Sequence, residues 1–129
     1  MSYKLGKRSL RILTTVHSDL EKVAKRAIQL TPIDFGIPTS GGYRTPEEQH
    51  ELFLDGVSKC DGHTRLSRHQ TGLALDFYAY ECGRANWNTE KLALIAAAFL
   101  QAANELGVKL EWGGLWSNFK DYPRLQIEG

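Results

Sequence analysis

Apolar residues recur at helical spacing in the first third of the chain. Ser18 and Glu21 have the spacing of a capping box at the start of this segment. Thr31-Pro32 ends it, because proline disfavours helical geometry in the residue before it. The pattern predicts an amphipathic helix whose apolar face packs into the core. That face consists of Leu20, Val23, Ala24, Ala27, Ile28 and Leu30.

A second helical pattern lies in the last third. Asn88 or Thr89 can cap its start, and Gly107 suits a left-handed residue at its end. Its middle is rich in alanine, which allows close packing against a sheet or another helix. One wide apolar face is formed by Leu92, Ile95, Ala96, Phe99, Leu100, Ala103 and Leu106.

A shorter helix is predicted to begin at Pro46. Thr45 is its candidate N-cap, proline suits the first helical position, and Glu48 occupies the third. Gly56 ends it. Arg44 therefore lies just ahead of a helix N-terminus, which is a rigid place from which to project a cation.

Strands are predicted where apolar residues alternate with small or polar ones. The first eight residues are polar and basic and predict an arm with little regular structure, followed by a short helix over Ser9–Leu13. Glu81–Arg84 is typical of a turn. The predicted strands are Phe35–Ile37, Leu73–Ala79, Val108–Trp112 and Arg124–Ile127.

Composition predicts a single domain and gives no support for nucleic-acid binding or a membrane span. The 129 residues, 42% of them hydrophobic and 24% charged, are sufficient for one domain spanning 1–129. The net charge of +1 gives no field to favour nucleic acid or an anionic membrane. No apolar run is long enough to span a bilayer. The two cysteines, Cys60 and Cys82, are either free thiols or one disulfide.

The candidate chemistry begins with His69 and Asp76. They lie seven residues apart, with Gly72 between them, on a turn that leads into the strand at Leu73–Ala79. Imidazole and carboxylate are both zinc ligands. From spacing alone, this stretch is either part of a metal site or a surface loop running into an ordinary strand.

Four stretches taken together resemble peptidase family M15, the zinc peptidases that cut bacterial peptidoglycan. The resemblance covers roughly residues 15–127 and is nearest to the small L-alanyl-D-glutamate endopeptidases that phages use as endolysins. Its stretches are Gly42-Tyr43-Arg44-Thr45-Pro46-Glu47-Glu48-Gln49, Ser67-x-His69-x-x-Gly72-x-Ala74-x-Asp76, Trp112-Gly113-Gly114-x-Trp116 and Phe119-x-Asp121-x-Pro123-x-x-Gln126.

The resemblance implies a hedgehog/D,D-peptidase-like α+β fold, in which a small antiparallel sheet carries the metal and helices pack against it. It implies Zn2+ as cofactor, with His69 and Asp76 as ligands and an activated water. Asp121 matches the general base, and Arg44 matches the arginine that steadies the anionic intermediate. The implied substrate-binding residues are Ser67, Gln49 and Trp116, of which Trp116 is expected to be partly exposed.

One position departs from the family pattern. The family has Asp-x-Pro-His, whose histidine is the third zinc ligand, whereas this chain has Asp121-Tyr122-Pro123-Arg124. Arginine keeps its proton and offers no lone pair to a metal. Three explanations are open: a member with impaired catalysis, a replacement ligand such as His63, or a sequence altered from a parent with histidine at 124.

The expected function is therefore zinc-dependent cleavage of the peptidoglycan stem peptide, at the L-Ala–D-Glu bond. The alternative is an impaired or inactive member that binds muropeptides. No signal peptide is visible, so we expect synthesis in the host cytoplasm and action on the periplasmic wall after release through a holin. We expect a monomer.

Overall fold

The computed structural model describes residues 2–127 and has the α+β architecture that the sequence predicted. Its strands form two small antiparallel sheets. The helices are α1 (Lys7–Leu13), α2 (Ser18–Leu30), α3 (Pro46–Leu54) and α4 (Thr89–Leu106). The strands are β1 (Phe35–Gly36), β2 (Ala74–Asp76), β3 (Tyr78–Glu81), β4 (Arg84–Asn86), β5 (Leu110–Trp112) and β6 (Arg124–Ile127).

Helices α2 and α4 pack against each other and form the main body of the core. Both bury most of the faces that their apolar spacing predicted. Leu30 and Leu100 are only partly buried, and Leu106 at the end of α4 is 46% exposed, so its predicted place in the core is wrong. Phe99 of α4 contacts Phe35 and Phe77, with ring centroids 4.8 and 5.3 Å apart. These three buried rings join the helical layer to both sheets, because Phe35 lies in β1 and Phe77 lies between β2 and β3.

The single strand predicted over Leu73–Ala79 is wrong in one respect, because it is two strands in different sheets. β2 belongs to the sheet β2-β6-β5, and β3 belongs to the sheet β1-β3-β4. Phe77 is the junction, and its N–H donates to the carbonyl of Pro123 at 3.1 Å. Because the chain leaves the β2-β6-β5 sheet at this point, Asp76 is the last residue of β2 and lies opposite Arg124 of β6.

The starts of the first two helices also differ from prediction. α1 begins at Lys7, inside the segment predicted to be an irregular arm. The N-cap of α2 is His17, whose Nδ1 accepts from the N–H of Asp19 at 3.0 Å, so the capping box predicted at Ser18 is wrong. The His17 N–H donates to the Gly72 carbonyl, which fixes the chain there and leaves Ser18 in the first helical turn.

The predicted turn at Glu81–Arg84 is the tight connection of a hairpin between β3 and β4. Strand β4 itself was not predicted. Cys60 and Cys82 are both free thiols. Across residues 2–127, no helix combines the length and apolar character needed to cross a membrane.

Candidate functional site

The carboxylate of Asp76 is the centre of the site. Arg44 Nη2 lies 3.1 Å from its Oδ2, His69 Nε2 lies 3.3 Å from the same oxygen, and Arg124 Nε lies 3.3 Å from Oδ1. Burial raises the pKa of Asp76, but His69 and the two guanidinium groups lower it more, so the pKa lies below its ordinary value. Asp76 therefore remains charged.

His69 is held by a short 3-10 helix, Arg68–Thr71, that ends at Gly72 with φ 74°. The Ser67 hydroxyl accepts from the His69 N–H at 3.2 Å and caps this turn. His69 Nδ1 lies 2.9 Å from the Gly42 carbonyl, and because a carbonyl only accepts, Nδ1 carries a proton. In the neutral ring, Nε2 then presents its lone pair towards Asp76.

This Nε2 atom is fully buried and makes no hydrogen bond, although Asp76 Oδ2 is 3.3 Å away. Buried polar atoms of proteins are almost always hydrogen-bonded. A ring nitrogen and a carboxylate that face each other in this way are suited to sharing a proton or a cation. The two residues thus have the geometry of a partial metal site.

Arg44 is fixed from several sides just ahead of α3. Its Nε donates to the Ser40 carbonyl at 2.8 Å, and its Nη1 donates to Gln49 Oε1 at 3.0 Å. The predicted N-cap Thr45 is confirmed, and it forms a capping box with Glu48 that sets the start of the helix. Burial lowers the pKa of Arg44, although nearby Asp76 opposes that effect. The guanidinium nevertheless stays charged, because its ordinary pKa is so high.

Two residues predicted to bind substrate are buried behind Arg44 and His69. Gln49 is fully buried, and its amide donates to Ser58 Oγ at 2.8 Å and to the Cys60 carbonyl at 2.9 Å. Ser67 is also buried and caps the 3-10 helix. As placed, both act on a ligand only through the residues that they position.

Asp121 lies on the opposite wall of the site, in the turn before β6. Its N–H donates to the Gly113 carbonyl at 3.1 Å, and Arg124 Nη2 lies 3.8 Å from its Oδ2. A Cβ atom on Gly113 would lie 2.2 Å from the Asp121 carbonyl oxygen, so glycine is needed for this approach. Burial raises the pKa of Asp121, and the charge of Arg124 reduces the rise without cancelling it.

Arg44, Asp76, Asp121 and Arg124 line a cleft of about 560 Å³, whereas the fully buried His69 does not reach it. Trp116 lines it and is partly exposed. At this cleft, Lys59 Nζ lies 3.6 Å from the centroid of the Phe119 ring. Phe119 is the first residue of the fourth stretch that resembles the family, whereas the sequence analysis did not single out Lys59. Phe119 is 79% exposed and has φ 53°, a strained conformation for an aromatic residue.

The residues present do not fit a catalytic zinc ion with three protein ligands. His69 and Asp76 supply two donors, and the third expected position is occupied by Arg124. Across residues 2–127, no cluster of three or more His, Cys, Asp or Glu side chains could hold a metal ion. His63 does not replace the missing ligand, because it packs against His50 with ring centroids 5.1 Å apart and does not line the cleft.

Comparisons with known proteins agree on one family. The family model described as phage L-alanyl-D-glutamate peptidase matches residues 1–128. The L-alanyl-D-glutamate peptidase of Escherichia phage T5 is 41% identical over 123 residues, which are 95% of this chain and 88% of that protein. The peptidoglycan L-alanyl-D-glutamate endopeptidase CwlK of Bacillus subtilis is 31% identical over 87% of this chain and 75% of its own.

A solved structure gives the same result. The crystal structure of the L-Ala D-Glu endopeptidase ChiX from Serratia marcescens superposes with a TM-score of 0.84 at 35% sequence identity. The match covers 97% of this chain and 90% of that one.

Proposed function

Because this chain belongs to the phage L-alanyl-D-glutamate peptidase family, we propose that it acts on the stem peptide of bacterial peptidoglycan, at the L-Ala–D-Glu bond. The observation that carries the proposal is that Arg44, Asp76 and Asp121 line one open cleft together with Trp116. Convergent charged groups and an aromatic wall in one concavity are typical of a peptide-processing site.

The side chains have complementary roles in this proposal. Arg44 is held rigidly with its charge at the cleft, so it stabilises negative charge that develops on a carbonyl oxygen. Asp121 has a raised pKa, which brings its carboxyl closer to the neutral range in which a group can both accept and return a proton. Trp116 and Phe119 provide apolar walls against which a peptide packs.

We further propose that Arg124 limits the rate of hydrolysis by this chain. Family resemblance implies zinc held by His69, Asp76 and a histidine at position 124. Zinc in such a site supplies a water of lowered pKa. With arginine at 124, the positive charge beside Asp76 comes from a guanidinium group that cannot bind metal or activate water.

A second candidate function is binding of stem peptides without turnover. The observation that favours it is that two guanidinium groups, those of Arg44 and Arg124, line the cleft with Lys59 and Lys120. Stem peptides carry free carboxylates, and the planar guanidinium group suits them. Arg124 engages Asp76 through Nε, and its Nη2 lies 3.8 Å from Asp121, so that nitrogen can turn to a ligand carboxylate.

The test compares the parent protein with Arg124→His. Zinc content is measured after dialysis, and release of free amino groups from purified peptidoglycan is followed for both proteins. We expect the parent to bind little zinc and to hydrolyse slowly, and Arg124→His to gain both properties. Adding Asp121→Asn to Arg124→His should remove hydrolysis while keeping the metal.

Calorimetry with a soluble L-alanyl-D-glutamate peptide, with and without a chelator, separates the two candidates. Binding to the parent that is unaffected by the chelator supports the binding function. If Arg124→His is folded but neither retains zinc nor cleaves, the peptidase proposal is wrong. Action at the periplasmic wall follows from the proposed substrate; release through a holin and a monomeric state remain predictions.

A further inference from the structure

We propose that a second groove, on the β1-β3-β4 sheet, binds the glycan strand of peptidoglycan. This aromatic groove consists of Arg8, Tyr78, Tyr80, Arg84 and Trp87. Its occupant is a chain of β-linked N-acetylated amino sugars bearing carboxylates. The proposal rests on the proposed function in one respect, since the same polymer carries the stem peptide that the cleft takes.

Two adjoining cavities make up the groove. One has a volume of about 310 Å³ and the other about 510 Å³, and Arg8, Tyr78 and Tyr80 line both. The aromatic rings form a continuous series, with centroids 5.7 Å apart between Tyr78 and Trp87 and 6.5 Å apart between Tyr78 and Tyr80. Arg8 Nη2 donates to the Tyr78 hydroxyl at 2.6 Å and fixes the guanidinium group at the centre.

Two of these rings are exposed to solvent, which favours a role in binding a ligand. Trp87 is 51% exposed and Tyr80 is 43% exposed, whereas Tyr78, the ring between them, is only 7% exposed. Single exposed apolar residues are normal, but two exposed aromatic rings at one concavity favour a binding site. The C–H faces of a pyranose ring pack flat on such rings. The indole N–H and the phenol O–H remain free to bond the sugar's hydroxyl and acetamido groups.

Charge favours an acidic glycan. The cations that line the two cavities are Lys4, Lys7, Arg8 and Arg84, and Asp34 is the one acid among the described residues that line them. Peptidoglycan is polyanionic, because its stem peptides carry free carboxylates, and a muramyl lactyl group becomes a carboxylate where its stem peptide has been removed. A basic groove attracts such a polymer and holds its carboxylates beside the stacked sugars.

One short segment of chain joins the groove to the cleft. Pro38 and Thr39 line the groove, and the next two residues contact residues of the cleft: the Ser40 carbonyl accepts from Arg44 Nε, and the Gly41 carbonyl accepts from the Asp76 N–H at 2.9 Å. In peptidoglycan, a single L-alanine separates the scissile bond from the lactyl group of the sugar. A strand bound in the groove therefore carries its stem peptide towards the cleft.

A membrane surface fits the groove less well. Interfacial proteins insert a protruding apolar face, with basic groups around it, into the headgroup layer. Here the aromatic rings lie in a concavity, with Arg8 between them. We therefore assign the groove to the glycan, and binding of lipid vesicles is the alternative outcome of the experiment.

The experiment measures binding of glycan strands from which an amidase has removed all stem peptides. Neutral chitin oligosaccharides and vesicles of phosphatidylethanolamine with phosphatidylglycerol are the comparison probes. Trp87→Ala should weaken binding of the stripped glycan about tenfold, as loss of a central aromatic anchor does. Arg84→Ala should weaken binding of the stripped glycan but not of the chitin oligosaccharides. Phe53→Ala, which removes a ring that is 40% exposed on α3, should change neither.

Thermal unfolding shows that each variant is folded, and Trp87→Phe, which keeps a ring, should restore most of the affinity. Unchanged binding of stripped glycan by folded Trp87→Ala overturns the proposal, as does loss of vesicle binding alone. Binding of a sugar-free L-alanyl-D-glutamate peptide at the cleft should be the same in Trp87→Ala and in the parent. If the peptide does not bind to either protein while the glycan does, the proposed function fails and the groove assignment stands.

Discussion

Replacement of Arg124 by methionine tests whether the arginine stabilises the folded protein by pairing with the Asp76 carboxylate. Methionine keeps most of the apolar stem and removes the charge. The Arg124 and Asp76 side chains are 18% and 17% exposed, and their nearest atoms are 3.3 Å apart. The variant leaves Arg44 as the guanidinium partner of Asp76, with His69 Nε2 lying 3.3 Å from the same carboxylate.

The size of the effect follows from opposing contributions. Two unit charges 3.3 Å apart attract by about 5 kcal/mol at the effective dielectric constant of about 20 that suits proteins. Desolvation of the guanidinium group and its repulsion from Arg44 offset most of this attraction. We expect Arg124→Met to lower the free energy of unfolding by about 1–2 kcal/mol, less than loss of a fully buried partner, because Arg44 still neutralises the carboxylate.

The assay is urea unfolding at pH 7, with Arg26→Met as the matched control. Arg26 pairs with Glu105 at the shorter distance of 2.9 Å, but the two side chains are 39% and 37% exposed. Water screens such a pair, so the control should lose about 0.5 kcal/mol or less. If Arg124→Met costs no more than the control, Arg124 does not stabilise the Asp76 carboxylate and the electrostatic account of the site is wrong.

The difference in unfolding free energy between the parent and Arg124→Met should depend on pH, and its sign follows from the pKa of Asp76. The folded pKa of Asp76 lies below its ordinary value. Its stabilising contribution is therefore fully present above the unfolded pKa, about 3.9, and is lost as pH falls through the folded pKa. Arg124→Met raises the folded pKa, so the stability difference between parent and variant should be largest near neutral pH and vanish in acid. A difference that persists at the acid limit would show that packing, and not charge, is responsible.

Three further substitutions test how the cleft is built. Gly113→Ala should cost about 2–3 kcal/mol in urea unfolding, since its Cβ would lie 2.2 Å from the Asp121 carbonyl oxygen; a variant as stable as the parent would refute that close approach. Gln49→Leu should cost about 2–3 kcal/mol and loosen Arg44, because buried donors lose their acceptor; unchanged stability and peptide binding would contradict its positioning role. Thr45→Ala should cost about 1 kcal/mol of stability through loss of the capping box, and a loss within experimental error would show that the cap is dispensable.

The helices were largely predictable because their ends depend on local chemistry. The N-cap at Asn88, the N-cap at Thr45 and the left-handed Gly107 act within one turn of the helix, and all three are confirmed. The start of α2 was not predictable in this way. His17 caps it because its N–H is tied to Gly72, a residue 55 positions further along the chain.

The change of sheet at Phe77 was hidden for a similar reason. Side chains on both sides of the junction are buried, including Leu75, Tyr78 and Ala79, so the apolar pattern continues without a break. Only the pairing partners differ, and these come from distant strands: Leu75 faces Leu125 of β6, whereas Ala79 faces Phe35 of β1.

The motifs predicted which side chains would meet, but not how each one would act. Arg44, His69 and Arg124 all lie within 3.3 Å of the Asp76 carboxylate, and their roles towards a metal or a substrate remain predictions. The buried role of Gln49 and the contact between Lys59 and Phe119 depend on how loops cross the cleft. Loop paths follow from tertiary contacts, for which spacing within a single sequence gives no signal.

Arg124 lies where the family pattern has a zinc-binding histidine, and it supplies positive charge to Asp76 without a metal. Asp76 is buried and charged, so it requires a nearby positive charge whether or not metal is present. The histidine that the family resemblance implies at 124 would meet this need by helping to hold zinc, whereas arginine meets it directly. The two residues are thus alternative solutions to one electrostatic requirement. It follows that the fold around Asp76 can persist with the arginine, even though the ligand set for zinc does not. In Arg124→His without metal, Asp76 loses a permanent cation, so zinc should contribute more to the stability of that variant than to that of the parent.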